Sequence, residues 1–194
     1  MGVIRNGWDQ IVNAHKFKVS VLYKGMIDDG TRVQWRNLVQ FNKGRPRAVF
    51  CLWQACYGKL ATKDRLKRFG MLEDSNCNLC QAEEETLNHL FFSCQVTSHI
   101  WKEVLDSFNI PHDPQPWDAE MIWLTKLTKG KGWKAEILRM VAAETIYNIW
   151  GYRNDKKFGN TVDNTTTVSN IIDYVIYRGW NNIRIRKHFV NFKL

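Results

Sequence analysis

No apolar run in this chain approaches the roughly 20 residues that a membrane-spanning helix requires, and the N-terminus lacks the apolar stretch of a secretory signal. Both absences lead us to expect an intracellular protein, nuclear or cytoplasmic, with no membrane partner. Cysteine is sparse and odd in number, at five residues, which favours metal binding and free thiols over a disulfide framework. No Gly-rich phosphate loop precedes a helix and no nucleophile is paired with a base, so no enzyme is expected. Internal repeats and low-complexity segments are also absent. Acidic residues are scarce at the start: residues 1–70 hold four Asp/Glu against 14 Lys/Arg, a net charge of +10. Residues 71–130 carry −7 and residues 131–194 carry +6, within a total of +9 at pH 7. That segregation suggests one face for a polyanion rather than a uniformly sticky surface.

What is present is core material. Apolar residues make up 44% of the chain and there are nine tryptophans, a composition that excludes disorder. The alternation from Lys16 to Val21 predicts a short strand, running on toward Tyr23 and Met26. Trp35, Leu38 and Val39 share one helical face. Pro46 suits a first helical turn, and Val49, Leu52, Trp53 and Cys56 follow at i, i+3, i+4 and i+7, with Gly58 able to end the helix. Cys56 then reads as a core thiol. Cys51 points about 140° away at 100° per residue, so the two cannot hold one ion together, and the place of Cys51 stays open. Thr62 suits the N-cap of a short helix with Leu66 and Phe69 inward and Gly70 at its end. Its Lys63, Arg65, Lys67 and Arg68 are left largely outside.

Farther on, Trp101, Val104, Leu105 and Phe108 give another stripe. Pro111, Pro114 and Pro116 make an extended connector. Two long helices follow, one on Leu138, Val141, Ala142, Thr145 and Ile149, the other on Ile171, Ile172, Val175, Ile176 and Trp180. Capping for the second is available between Thr165 and Ser169.

The strongest motif is Cys77-Asn78-Leu79-Cys80, then His89 and Cys94. Zinc takes four N or S ligands at tetrahedral corners, and two cysteines separated by two residues can chelate one ion from a tight turn. Thr86 can cap a helical turn that carries His89, with Cys94 at or just past its end. Three thiolates and one imidazole leave no open coordination position, so one structural Zn²⁺ is expected. His99 is a poorer alternative ligand, and His15, His112 and His188 read as ordinary surface or loop residues. The run Glu83-Glu84-Glu85 precedes a helix start, where negative charge is stabilised. The fold class is therefore mainly α: a small zinc-stapled helical domain over residues 1–110, then a C-terminal helical hairpin over residues 111–194 packing on it, with at most one short N-terminal strand.

Pro46-Arg47, Phe50, Trp53, Leu60, Thr62, Asp64, Leu66 and Gly70, followed by the Cys-Cys-His-Cys run, resemble the zinc-binding domain of reverse transcriptases from plant non-LTR (LINE-type) retrotransposons. Glu85-Thr86, His89-Leu90-Phe91-Phe92 and Trp101 fit the same pattern. So do Phe17-Lys18-Val19 through Tyr23 upstream, and Ile149-Trp150, Arg153-Asn154 and Phe158 downstream. The resemblance implies a domain that lies C-terminal to a polymerase and helps hold template nucleic acid. No Tyr-x-Asp-Asp palm motif and no ribonuclease H acidic set occur here, so it implies such a domain detached from its polymerase.

The expected function is a non-catalytic nucleic-acid-binding module with an RNA or DNA backbone as partner. Its candidate contacts are Arg45, Arg47, Lys59, Lys63, Arg65, Lys67 and Arg68, with Arg184, Arg186 and Lys187 as a second patch. Exposed aromatics such as Tyr57 can stack on unpaired bases. The alternative is a zinc-folded adaptor, homo- or hetero-oligomeric, whose C-terminal helices dock a protein. An exposed apolar patch around Trp180 would favour it.

Overall fold

The computed structural model describes residues 33–41, 43–159 and 162–188. The strand expected over residues 16–21, His15 and the segment around Tyr23 lie outside them. Among the described residues the architecture is helical, with a single isolated bridge between Asn76 and Glu84 as its only β pairing. The α-helices are α1 (Arg36–Val39), α2 (Pro46–Cys56), α3 (Lys63–Arg68), α4 (Gln95–Ser107), α5 (Trp117–Leu127), α6 (Trp133–Lys157) and α7 (Asn164–Trp180). A π-helical turn spans His89–Ser93 and a 3-10 turn spans Arg186–His188. From Trp35 onward the chain forms one compact unit.

The organising element is α6. Between Ala135 and Ile146 almost every side chain is buried, including Ile137, Leu138, Met140 and Val141. A helix apolar on most of its circumference must be covered on several sides. Here α2, α7, α5 and α4 do so. α7 packs on α4 as well as on α6, and one hydrophobic cluster runs from Leu38 of α1 to Ile185 beyond α7.

The core stripe of α2 is not the one its large residues predict. Ala48, Cys51, Leu52 and Ala55 face inward, while Phe50, Trp53 and Tyr57 are exposed and Cys56 is half-buried. Small side chains let α2 lie close against α6, and the bulky ring systems are displaced to the far side. Cys51 is therefore the core thiol and Cys56 its flank. Burial pushes both thiols up to about 12, so neither is a ready nucleophile. Gly58, at φ +59°, ends α2 in the left-handed conformation that glycine adopts without strain.

Two further expectations are corrected. In α3, Phe69 is exposed and Leu66 only half-buried, whereas Lys63 is buried. This short helix is held by polar ties rather than by an apolar face. The Arg65 guanidinium donates to the carbonyls of Gly58 and Leu60, and Lys63 pairs with Asp74 at 2.9 Å. The cap of α7 lies two residues before the expected range: Asp163 is its N-cap, accepting a hydrogen bond from the Thr166 backbone N–H at 2.7 Å.

α5 was not expected at all, although its signals are local. Asp118 and Glu120 occupy its first turn, and Trp117, Met121 and Leu124 fall on one buried stripe. Glu120 is wholly buried and accepts from the Trp101 indole N–H at 2.7 Å and from the Gln115 backbone N–H at 3.0 Å. His112 meets the same carboxylate at 3.0 Å and stacks on Trp123 at 3.7 Å, so it is a packed residue rather than a surface histidine.

Candidate metal centre

Cys77 and Cys80 are presented by a tight knuckle. Its two arms pair through Cys77 N–H to the Glu83 carbonyl and Glu85 N–H to the Ser75 carbonyl, both 2.7 Å. Between them the Gln81 N–H returns to the Cys77 carbonyl at 2.9 Å, and Gln81 sits at φ +59° to complete the reversal. Two backbone N–H groups point at sulfur: Leu79 to Cys77 Sγ at 3.4 Å and Ala82 to Cys80 Sγ at 3.5 Å. Donors so placed stabilise thiolate over thiol.

The other pair comes from the next turn. Thr86 Oγ1 accepts from the His89 N–H at 3.0 Å, the capping bond expected from the sequence. His89 opens the π turn, and Cys94 follows its last residue, with Cys94 N–H returning to the His89 carbonyl at 2.7 Å. Cys94 is also the N-cap residue of α4, at the positive end of that helix. Leu90, Phe91 and Phe92 are buried beside it and seat the turn in the core.

The ligand atoms of Cys77, Cys80, His89 and Cys94 all lie within 4.8 Å of one another. In a tetrahedron with Zn–S near 2.3 Å, neighbouring sulfurs stand about 3.8 Å apart, so the cluster has the size of a zinc site. Cys80 Sγ and His89 Nε2 are 3.2 Å apart. The other ring nitrogen, Nδ1, meets Glu83 Oε2 at 3.1 Å. A carboxylate on the non-ligating nitrogen is the usual support of a metal-bound histidine, fixing its tautomer and raising its basicity. The hydrogen bond between Cys77 and Cys94 holds the Cys94 thiol below its ordinary range and, together with burial, pushes Cys77 above its own. These residues fit one Zn²⁺, held by Cys77, Cys80, His89 and Cys94. A closed Cys₃His set of this kind supplies a cross-link for folding.

Glu83 as the partner of His89 was not legible in the sequence, where it was one of three consecutive glutamates. Glu85 of the same run does serve a helix start, but not that of the following turn. It is buried and accepts from the Lys63 backbone N–H, the first residue of α3, at 3.0 Å. His99, exposed and paired with Glu103 at 3.2 Å, is not among the ligands.

The basic residues fall into two groups. Arg45 reaches the buried Glu144 at 3.3 Å and lies over the rings of Tyr147 and Tyr174. Lys63 and Arg65 are engaged as described, and Arg68 pairs with Asp64 at 3.0 Å. Arg47, Lys59, Lys67, Arg184, Arg186 and Lys187 are exposed. Of these, Lys67 donates to the Ser75 hydroxyl at 3.4 Å. No helix among the described residues is long and apolar enough to cross a membrane.

Residues 17–101 match a family model described as zinc-binding in reverse transcriptase. Comparison with curated proteins and with solved structures finds no match.

Proposed function

We propose, from the match of residues 17–101 to a family model described as zinc-binding in reverse transcriptase, that the chain is a non-catalytic nucleic-acid-binding module folded around one structural zinc. One observation carries this reading. From Val33 to Lys63 the chain has six basic residues and no acidic one. Arg45 and Lys63 are taken by Glu144 and Asp74, and the other four, Arg36, Lys43, Arg47 and Lys59, are exposed. Exposed cations neutralise phosphates and release counterions, which gives affinity for RNA or DNA without much sequence discrimination. Lys67 extends that surface along α3, where Arg68 is paired with Asp64, and Arg184, Arg186 and Lys187 form a second patch. Such a module works inside the cell, in the compartment that holds its nucleic acid. A retrotransposon origin, in the plant lineage that the motif string resembles, accords with the reading.

The test is fluorescence anisotropy on zinc-loaded protein with labelled single-stranded RNA, single-stranded DNA and duplex DNA at two salt concentrations. Affinity that falls steeply with salt supports the module. No binding to any of the three at low salt overturns it.

A second reading, a protein-binding adaptor, has one observation in its favour. Ile171, Val175 and Ile176 of α7 are buried, but Tyr177, Trp180 and Ile183 are exposed at its C-terminal end. An apolar cluster there suits a protein partner. Concentration-dependent sedimentation, with and without Trp180→Ser, separates it from the first reading.

A further inference from the structure

We propose that the outward face of α2 is a base-stacking platform for single-stranded nucleic acid, built from Phe50, Trp53 and Tyr57. The proposal rests on the nucleic-acid reading above and adds to it the strand form and the residues that select it. α2 buries Ala48, Cys51, Leu52 and Ala55. At 100° per residue, Phe50, Trp53 and Tyr57 centre about 180° from that stripe. A helix that needs only one core face has polar residues opposite it, so an apolar second face marks a second contact surface.

The three rings are 55%, 40% and 47% exposed respectively. They form a continuous row: Phe50 stacks on Trp53 at 5.5 Å, Trp53 meets Tyr57 edge-on at 5.0 Å, and Trp35 closes on Tyr57 at 4.8 Å. Charge decides what the row accepts. Arg47 lies one turn before Phe50, Lys59 follows Tyr57 by two residues, and Arg36 adjoins Trp35. Nothing acidic occurs in the chain from Val33 to Lys63. A row of aromatic rings on a segment whose charged residues are all cations suits a ligand with π-faces and phosphates. A duplex keeps its base faces buried within its own stack and can reach only the cations, so the row distinguishes single strands from duplex.

The experiment compares the zinc-loaded full chain with two double variants, F50L/Y57L and R47Q/K59Q. Leucine keeps apolar bulk at both positions and removes the π-face. Each protein is titrated with a 2-aminopurine-labelled single strand and with its duplex, at two salt concentrations. F50L/Y57L should bind the single strand at least about fivefold more weakly, the equivalent of one lost base stack. Its duplex affinity and salt slope should stay unchanged, and the quenching of 2-aminopurine should diminish. R47Q/K59Q should weaken both forms and flatten the slope. Unchanged single-strand affinity in F50L/Y57L, or equal losses on both strand forms, overturns the platform while leaving the broader module intact. A lowered melting temperature with unchanged affinity makes the row internal packing, and a dissociated dimer with unchanged affinity makes it a self-association face. Either result also overturns the proposal. Failure of the unaltered protein to bind any strand overturns the module and the platform together.

Discussion

Glu85 and Arg153, 68 positions apart, form a buried ion pair in which Arg153 Nε donates to both carboxylate oxygens at 2.9 and 3.1 Å and Nη2 donates to Oε1 at 2.5 Å. The same carboxylate accepts from the first backbone N–H of α3, and the guanidinium lies over the Trp150 ring at 4.9 Å. One carboxylate thereby ties the zinc knuckle and α3 to the C-terminal half of α6. The knuckle is thus anchored to the helical core by charge as well as by metal.

Breaking that pair from one side should be costly, because it leaves a buried charge without a partner. Arg153→Met should lose roughly 3–5 kcal/mol in chemical denaturation. The double variant E85L/R153M should recover part of the loss, since it removes both charges. A single variant as stable as the original protein would show that the pair contributes little.

Zinc should behave as a folding ligand. Chelation, or Cys80→Ala or His89→Ala, should remove one bound zinc per chain by metal analysis and lower the melting temperature. Glu83→Gln should keep the fold but weaken zinc binding by about 10- to 100-fold, the usual effect of losing a histidine's supporting carboxylate. Zinc affinity unchanged in Glu83→Gln would remove Glu83 from the site.

Glu144 predicts a pH dependence. Burial pushes its carboxyl from 4.5 up to about 7, against the opposing pull of Arg45. A carboxyl that is more basic folded than unfolded favours the fold fully below its unfolded value near 4.5, and that contribution is lost as pH rises through about 7. The span corresponds to roughly 3 kcal/mol. Glu144→Gln should therefore gain stability relative to the original protein between pH 6 and pH 8, with zinc in excess throughout. A stability difference that stays flat across that range would contradict the burial argument.

The exposed cations can be separated from the engaged ones. Replacing Arg47, Lys59 and Lys67 with Gln should weaken binding to any nucleic acid and flatten the salt dependence by roughly 0.7–0.9 log units per lost phosphate contact. Replacing Arg45 should instead cost stability, since it would strand Glu144. The readouts are anisotropy for the first variant and thermal melting for the second.

Local chemistry made the metal centre legible from the chain alone. The Cys77/Cys80 spacing, the Thr86 cap and the distance to His89 and Cys94 are short-range constraints, and short-range constraints survive translation into three dimensions. Helix boundaries marked by Pro46, Gly58 and Gly70 were readable for the same reason. α5 was readable too, from its acidic first turn and buried stripe, but the preceding prolines masked it. Tertiary structure decided what depends on distant neighbours. Which face of α2 turned inward depended on how closely α6 could approach, so small residues won the core and aromatic ones were displaced outward. Which cations remained exposed depended on where Glu144 and Asp74 arrived, and which glutamate oriented His89 depended on how the knuckle closed. The sequence by itself determined the zinc ligands, because their spacing is a property of one short segment; the surface offered to a partner was decided only when α6 and its buried charges were in place.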